Sequence, residues 1–221
     1  DFTATSPNYN NVVIKVTDGW LKIDPVSDKV TVTVTEKSGS VVYDGQEHSV
    51  TGYETMAADN ALYNTADVAE TPTEAWTAKG TNAGKYQVGI KSGDFKNTSV
   101  NFTNVAFVIA DGELEITPVT DKVTVTVVEK SDNVTYDAAE HSITGYESMT
   151  ADNALYDVTK NVAETKTAAW TAKGTEAGEY PVGIVSGDFK NTSKNFANVE
   201  FVIVDGALTI TTDDTEVVVT V

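Results

Sequence analysis

What most constrains this 221-residue chain is that nearly the same text occurs twice in it. The stretch that begins at Asp28 begins again at Asp121, and the two stay aligned past Leu62 and Leu155. One extra residue enters the second copy before Val162. The match then resumes through Trp76/Trp170, Tyr86/Tyr180, Phe95/Phe189 and Ile116/Ile210. About 65 of 90 aligned positions are identical, the mark of a recent tandem duplication, and such self-similarity bounds the architecture before any local signal is read. A repeat of roughly ninety residues is too long for a helical or leucine-rich solenoid unit and suits one small domain. The flanks extend the pattern, since residues 8–34 align with 101–127 and with 195–221. The expected organisation is therefore two complete repeats, 27–118 and 119–212, with 1–26 the tail of a preceding repeat and 213–221 the head of a following one. The chain reads as a piece of a longer array.

Three copies of the joint between repeats reveal which side chains face inward. Val105, Phe107 and Ile109 stay apolar in every copy, as Val12, Ile14, Val16 and as Val199, Phe201, Ile203, while the positions between them drift. That two-residue period is a strand with one buried face. Asp111-Gly112 predicts a tight turn with positive φ, after which Leu114 and Ile116 resume the apolar phase, so the joint is expected to be a β-hairpin. The run that follows alternates Val123, Val125 and Val127 with Thr, a ribbon that tolerates water on one face. Pro118 at the hand-over predicts a stiff linker. Within each repeat, a second hairpin is expected around Asp44-Gly45, although Ala138 replaces that glycine in the second copy. A turn through Gly80 to Gly84 leads into a strand with Tyr86, Val88 and Ile90 on one side. Residues 59–71 and 92–102 show no sustained period and read as loop with a short helical turn. The fold class is all-β: an elongated tandem array of small sandwich-like (Ig-like) modules, the alternative being β-grasp-like modules with a short helix.

A formal charge of -18, with 15 basic residues scattered and all of them Lys, argues against nucleic acid, whose binding requires a clustered cationic face. The acidity reads as a solvated, self-repelling surface. The chain has no cysteine, so no disulfide framework is available. No apolar run approaches membrane-spanning length, so no membrane insertion is expected of this stretch.

YDGQEHSVTGYE from Tyr43, AWTAKGTNAGKYQVGI from Ala75 and NFTNVAFVIADGELEIT from Asn101 together resemble the MBG-like or YDG-type tandem repeats of Gram-positive bacterial cell-surface adhesins, neighbours of mucus-binding and stalk repeats. The resemblance covers essentially the whole chain. It implies a secreted protein, held to the cell wall through sequence outside this stretch, and a role as stalk or adhesive module. The partners it implies are adjacent repeats of the same parent and a host glycoprotein or glycan. It brings no catalytic residue, no cofactor and no metal, and the ligand-binding residues stay unknown.

His48 and His141 lack the convergent donors of a zinc site, and Ser49 should face away from His48. Trp76 and Trp170 are expected as core plugs rather than sugar platforms, while Trp20 falls on the variable side of its joint. The 92–102 loop (GDFKNTS) and the TTDDTE run from Thr211 are rich in oxygens but lack a spaced calcium-loop pattern. Asn97 and Asn191 match an N-glycosylation pattern that a bacterial origin would make irrelevant. Lys79/Lys173, Lys96/Lys190 and Asn104/Asn198 could form Lys–Asn cross-links only if a lysine were desolvated. The expectation is a monomeric, non-enzymatic protein without cofactor. Its extended form should show a radius of gyration near ~29 Å, against ~17 Å for a compact globule of this length.

Overall fold

In a computed structural model that describes residues 1–72, 74–166 and 169–219, the chain is all-β. The first repeat holds β1 (Val30–Glu36), β2 (Gly39–Val42), β3 (His48–Thr51), β4 (Tyr53–Ala58), β5 (Val68–Glu70), β6 (Thr77–Gly80), β7 (Gly84–Gln87), β8 (Phe95–Asn97), β9 (Val105–Ala110) and β10 (Glu113–Thr117). The second repeats them as β11 (Val123–Glu129), β12 (Asp132–Thr135), β13 (His141–Thr144), β14 (Tyr146–Ala151), β15 (Val162–Glu164), β16 (Thr171–Gly174), β17 (Gly178–Pro181), β18 (Phe189–Asn191), β19 (Val199–Val204) and β20 (Ala207–Thr211). The sheet orders are β4-β1-β9 and β2-β10-β7, with the pairs β3-β6 and β5-β8, and the second repeat reproduces all four.

The joint forms strands where the alternation placed them, but it is not a hairpin. β9 lies parallel to β1, whereas β10 lies parallel to β2 and antiparallel to β7, so the two joint strands belong to different sheets. Thr35 pairs with Ala110 and Leu114 with Gly39, and both pairings carry the same offset (110 − 35 = 114 − 39 = 75), so one parallel ladder resumes in unchanged register beyond a corner. Neither Asp111 nor Gly112 has positive φ. Gly112 is required for another reason: a Cβ there would lie 2.3 Å from the Lys37 carbonyl oxygen of the neighbouring chain segment, closer than atoms can approach. The expected hairpin at Asp44-Gly45 is likewise a turn between strands of different sheets, since β2 pairs with β10 and β3 with β6. Positive φ does occur here, at Gly45 (79°) and at its counterpart Ala138 (66°).

Two clusters form the core of each repeat. Leu114, Ile116, Val34 and Val88 pack at one end with Phe95, while Val30, Val32, Tyr63 and Phe102 pack at the other. The Val/Thr strand buries Val123, Val125 and Val127 to 1% exposure or less and leaves its threonines half-buried, as the alternation requires. Residues 59–71 and 92–102 contain more order than their lack of period suggested. They hold single 3-10 turns at Thr65–Asp67 and Ser92–Asp94 and the short pair β5–β8. The extra residue of the second repeat lengthens the first of these turns into an α-helical one, Val158–Asn161, closed by Asn161 N–H on the Asp157 carbonyl at 2.9 Å.

The first joint behaves differently from the other two. Residues 1–25 enter no strand, and the first ladder contact is the bridge from Val26 to Phe102. Leu21 and Ile23 are 86% and 82% exposed, whereas Leu114 and Ile116 are 1% and 2%. The strands expected of this joint do not form: residues 12–23 pair with no other segment among the described residues.

Candidate functional site

His48 and His141 sit on the strands that follow the Asp44 and Asp137 turns. His48 Nε2 lies 2.9 Å from Asp44 Oδ1, which also accepts the Gln46 N–H at 2.9 Å. The second repeat repeats this, with His141 at 2.8 Å from Asp137 and the Ala139 N–H at 2.9 Å. The backbone N–H of Gln46, and then the histidine, hold the Asp44 carboxyl below its ordinary value, and Ala139 and His141 do the same for Asp137. Ser49 alternates to the exposed side of its strand while His48 is half-buried, so no Ser–His pair forms. Each His/Asp pair is therefore a local tie across a turn.

The tryptophans are spent on packing. Trp76 stacks on Phe95 at 5.4 Å and donates its indole N–H to Asp94 at 2.9 Å, and Asp94 also accepts the Lys91 N–H. Tyr53 meets Trp76 edge-on and donates to Glu70 at 2.6 Å. Trp170 stacks on Phe189 at 5.6 Å and donates to Asp188 at 2.7 Å, with Lys166 above the ring at 5.8 Å. The Val185 N–H, then the Trp170 indole, lower the Asp188 carboxyl. Trp170 is buried at 7%, while Trp76 stays half-buried with one face on Phe95 and its N–H on Asp94. Trp20 by contrast is 81% exposed.

The oxygens of the 92–102 loop are also occupied. Asn97 Oδ1 accepts the Tyr63 hydroxyl at 2.8 Å and the Ser99 N–H at 3.0 Å, and its amide donates to the Phe102 carbonyl. In the TTDDTE run, Asp213 is turned onto its own Thr215. Among the described residues no three acidic or imidazole groups gather as a ligand set. Lys79, Lys96, Lys173 and Lys190 are all exposed, as are Asn104 and Asn198. Lys79 and Lys173 instead pair with Glu47 and Glu140. Being exposed, these lysines lack the desolvation that a cross-linking nucleophile requires.

A concavity of about 880 Å³ lies at the corner of the second repeat beside Asp132, Glu179, Pro181 and Thr209. In the first repeat, Lys85 spans the corresponding face to Glu113 and Glu115, and Gln87 donates to Glu113 at 3.3 Å. The cleft is open and acidic because Glu179 and Ala207 stand where Lys85 and Glu113 pair.

Two sets of residues that matter escaped the sequence reading. Glu36 is 4% exposed and accepts the Ile90 N–H at 2.6 Å and the Gly112 N–H at 2.8 Å, fastening the corner where the parallel ladder changes sheets. Glu129 is 3% exposed and likewise accepts the Ile184 and Gly206 N–H groups. The signal was present: Glu36 continues the buried phase of Val30, Val32 and Val34. The second set joins the repeats. Asn195 accepts the Ala83 N–H at 2.7 Å and donates to Asn82 Oδ1 at 2.9 Å, and Tyr43 meets Phe196 edge-on at 5.6 Å. No sequence pattern pointed to these contacts.

Comparison with protein-family models, with curated proteins and with solved structures finds no match to this chain.

Proposed function

We propose that this chain is a non-catalytic repeat segment of a bacterial cell-surface protein, in which successive small sandwich-like modules form a semi-rigid stalk that can also present adhesive faces. The observation that carries the reading is the direct contact between repeats: Asn195 clamps the Asn82-Ala83 turn, and Tyr43 lies on Phe196. The connection is also short, since Thr117 ends β10 and Val119 already bridges to Phe196 of the second repeat. A tandem array joined in this way transmits orientation from one module to the next, whereas a flexible linker would lose it.

The exposed area supports an extended arrangement. The chain exposes 14713 Å², where a compact monomer of 23.6 kDa exposes about 9,800 Å² by the usual size scaling, with part of the excess coming from the open residues 1–25. The resemblance to surface repeats, the acidic self-repelling surface and the burial of Trp170 in the core fit the same reading. On it, the protein is exported, and its partners are neighbouring repeats and a host glycoprotein or glycan. Small-angle scattering in dilute solution at moderate salt tests it: a radius of gyration near ~29 Å is expected, and a value near ~17 Å would mean side-by-side repeats and end the stalk reading.

A further inference from the structure

The contact between the two repeats is asymmetric, and each repeat carries both halves of it. The half on the first repeat is Tyr43, Gly45 and the Asn82-Ala83 turn. The half on the second is Leu155, Asn195 and Phe196, with a Cβ position on Gly45 only 3.3 Å from Leu155 Cδ2. The duplication places the complementary halves at the outer ends: Leu62, Asn101 and Phe102 on the first repeat, and Tyr136, Ala138 and the Glu176-Ala177 turn on the second.

Phe102 is buried within its own repeat at 6%, but Leu62, Asn101 and Ala177 are uncovered. Leu62 is 81% exposed against 43% for Leu155, and Ala177 is exposed where Ala83 is 7%. Grooves lie at both ends, one between Leu62, Asn101 and Phe102 and the chain's own residues 23–26, the other between Tyr136, Glu176 and Ala177 and the chain's own Thr212, Asp213, Thr215 and Val217. Asn101 is already held as Asn195 is, since its carbonyl accepts Val26 N–H as that of Asn195 accepts Val119 N–H.

We infer that the two ends are complementary docking faces for a further module of this same kind, so that a second copy of this chain binds head-to-tail, its Asn101 clamping the Glu176-Ala177 turn of the first. The two positions that differ from the internal junction leave this fit intact. With Glu176 in place of Asn82, the Asn101 amide donates to a carboxylate instead of an amide oxygen, a charge-assisted bond. With Ala138 in place of Gly45, the added Cβ meets the end of an exposed leucine, which can give by a few tenths of an ångström. A heterologous contact of this kind does not close on itself, so each docked copy leaves one free face of each type. The contact rests on the junction geometry and stands whether or not the modules bind a host ligand.

Intermolecular paramagnetic relaxation tests the inference. A spin label is placed on V100C, at the rim of the Asn101 groove, in an unlabelled copy that is mixed at millimolar concentration and moderate salt with an isotopically labelled native copy. Signal loss at Ala138, Glu176 and Ala177 is expected to be several-fold greater than at Gly45, Asn82 and Ala83, which the internal junction already covers. Adding N101D to the spin-labelled copy removes the amide donor and sets a second carboxylate against Glu176, and the selective loss should disappear. Equal broadening at both sets, or selective loss that survives N101D, overturns the proposal. A label on K194C in the native chain should broaden Gly45 and Ala83 within the same molecule. If it does not, the internal junction that serves as template is itself not formed, and the proposal falls whatever the scattering experiment says about the stalk.

Discussion

Residues 12–23 and 105–116 are two versions of one motif with different fates. Val105, Phe107, Leu114 and Ile116 are drawn into the packed clusters of the first repeat, while Val12, Ile14, Leu21 and Ile23 stay in water. The alternation of apolar residues is the same in both. What differs is the company: β9 and β10 are hydrogen-bonded by β1, β2 and β7, whereas residues 12–23 enter no ladder among the described residues. The far end of the chain says the same, since Val217 and Val219 are 81% and 79% exposed while their counterparts Val123 and Val125 are 1% and 0%. A strand pattern is thus a capacity to pair, and burial follows only where a partner edge exists.

The comparison is sharpened most by truncating the same leucine in both settings. Leu114→Ala should lower the unfolding free energy of the first repeat by about 3 kcal/mol, the usual cost of a fully buried Leu→Ala cavity. Leu21→Ala should change it by less than about 0.5 kcal/mol, as surface substitutions do. Urea unfolding of both variants reads the difference, and equal costs would mean that residues 12–23 are packed in solution.

A smaller effect is expected from the glycines that follow the two aspartates. Gly112→Ala drives a methyl group against the Lys37 carbonyl and should cost about 2 kcal/mol as the corner opens, in the range of overpacked core sites. At Gly19 nothing lies within 4 Å, so Gly19→Ala should leave the urea midpoint unchanged. An unmoved midpoint for Gly112→Ala would show that the two parallel strands are not held at that corner.

The smallest effect separates packed repeats from open ends through pH. Burial raises the hydroxyls of Tyr63, Tyr146 and Tyr156, and the bond to Glu70 followed by burial raises Tyr53. Because the folded values lie above the ordinary one of 10.0, the stabilisation is complete below that pH and is lost as pH rises through the folded values. The melting temperature should therefore hold to about pH 9.5 and fall above pH 10, with Tyr63→Phe blunting the fall. A melting temperature that stays flat to pH 11.5 would contradict the buried, neutral tyrosines.

Much of this protein was legible in its sequence. Duplication foretold that the strand order of one repeat would recur in the other, and two-residue periodicity located β1, β9, β10 and their copies. These are local properties, fixed by how side chains alternate along an extended backbone. What only the tertiary structure decided is where each strand finds its partner. The Asp111-Gly112 dipeptide looks like a hairpin turn, yet it carries the chain between two sheets beside a parallel neighbour about seventy-five residues away in sequence. Gly112 is needed there for close approach and not for positive φ. Glu36 falls in the buried phase of Val30, Val32 and Val34, but its role as acceptor for two distant N–H groups depends on Ile90 and Gly112 arriving at the same corner. The clamp of Asn195 on the Asn82-Ala83 turn depends on how the repeats meet. Hydrogen-bond partners distant along the chain are chosen by the geometry of the assembled core, and a local pattern holds no record of that choice.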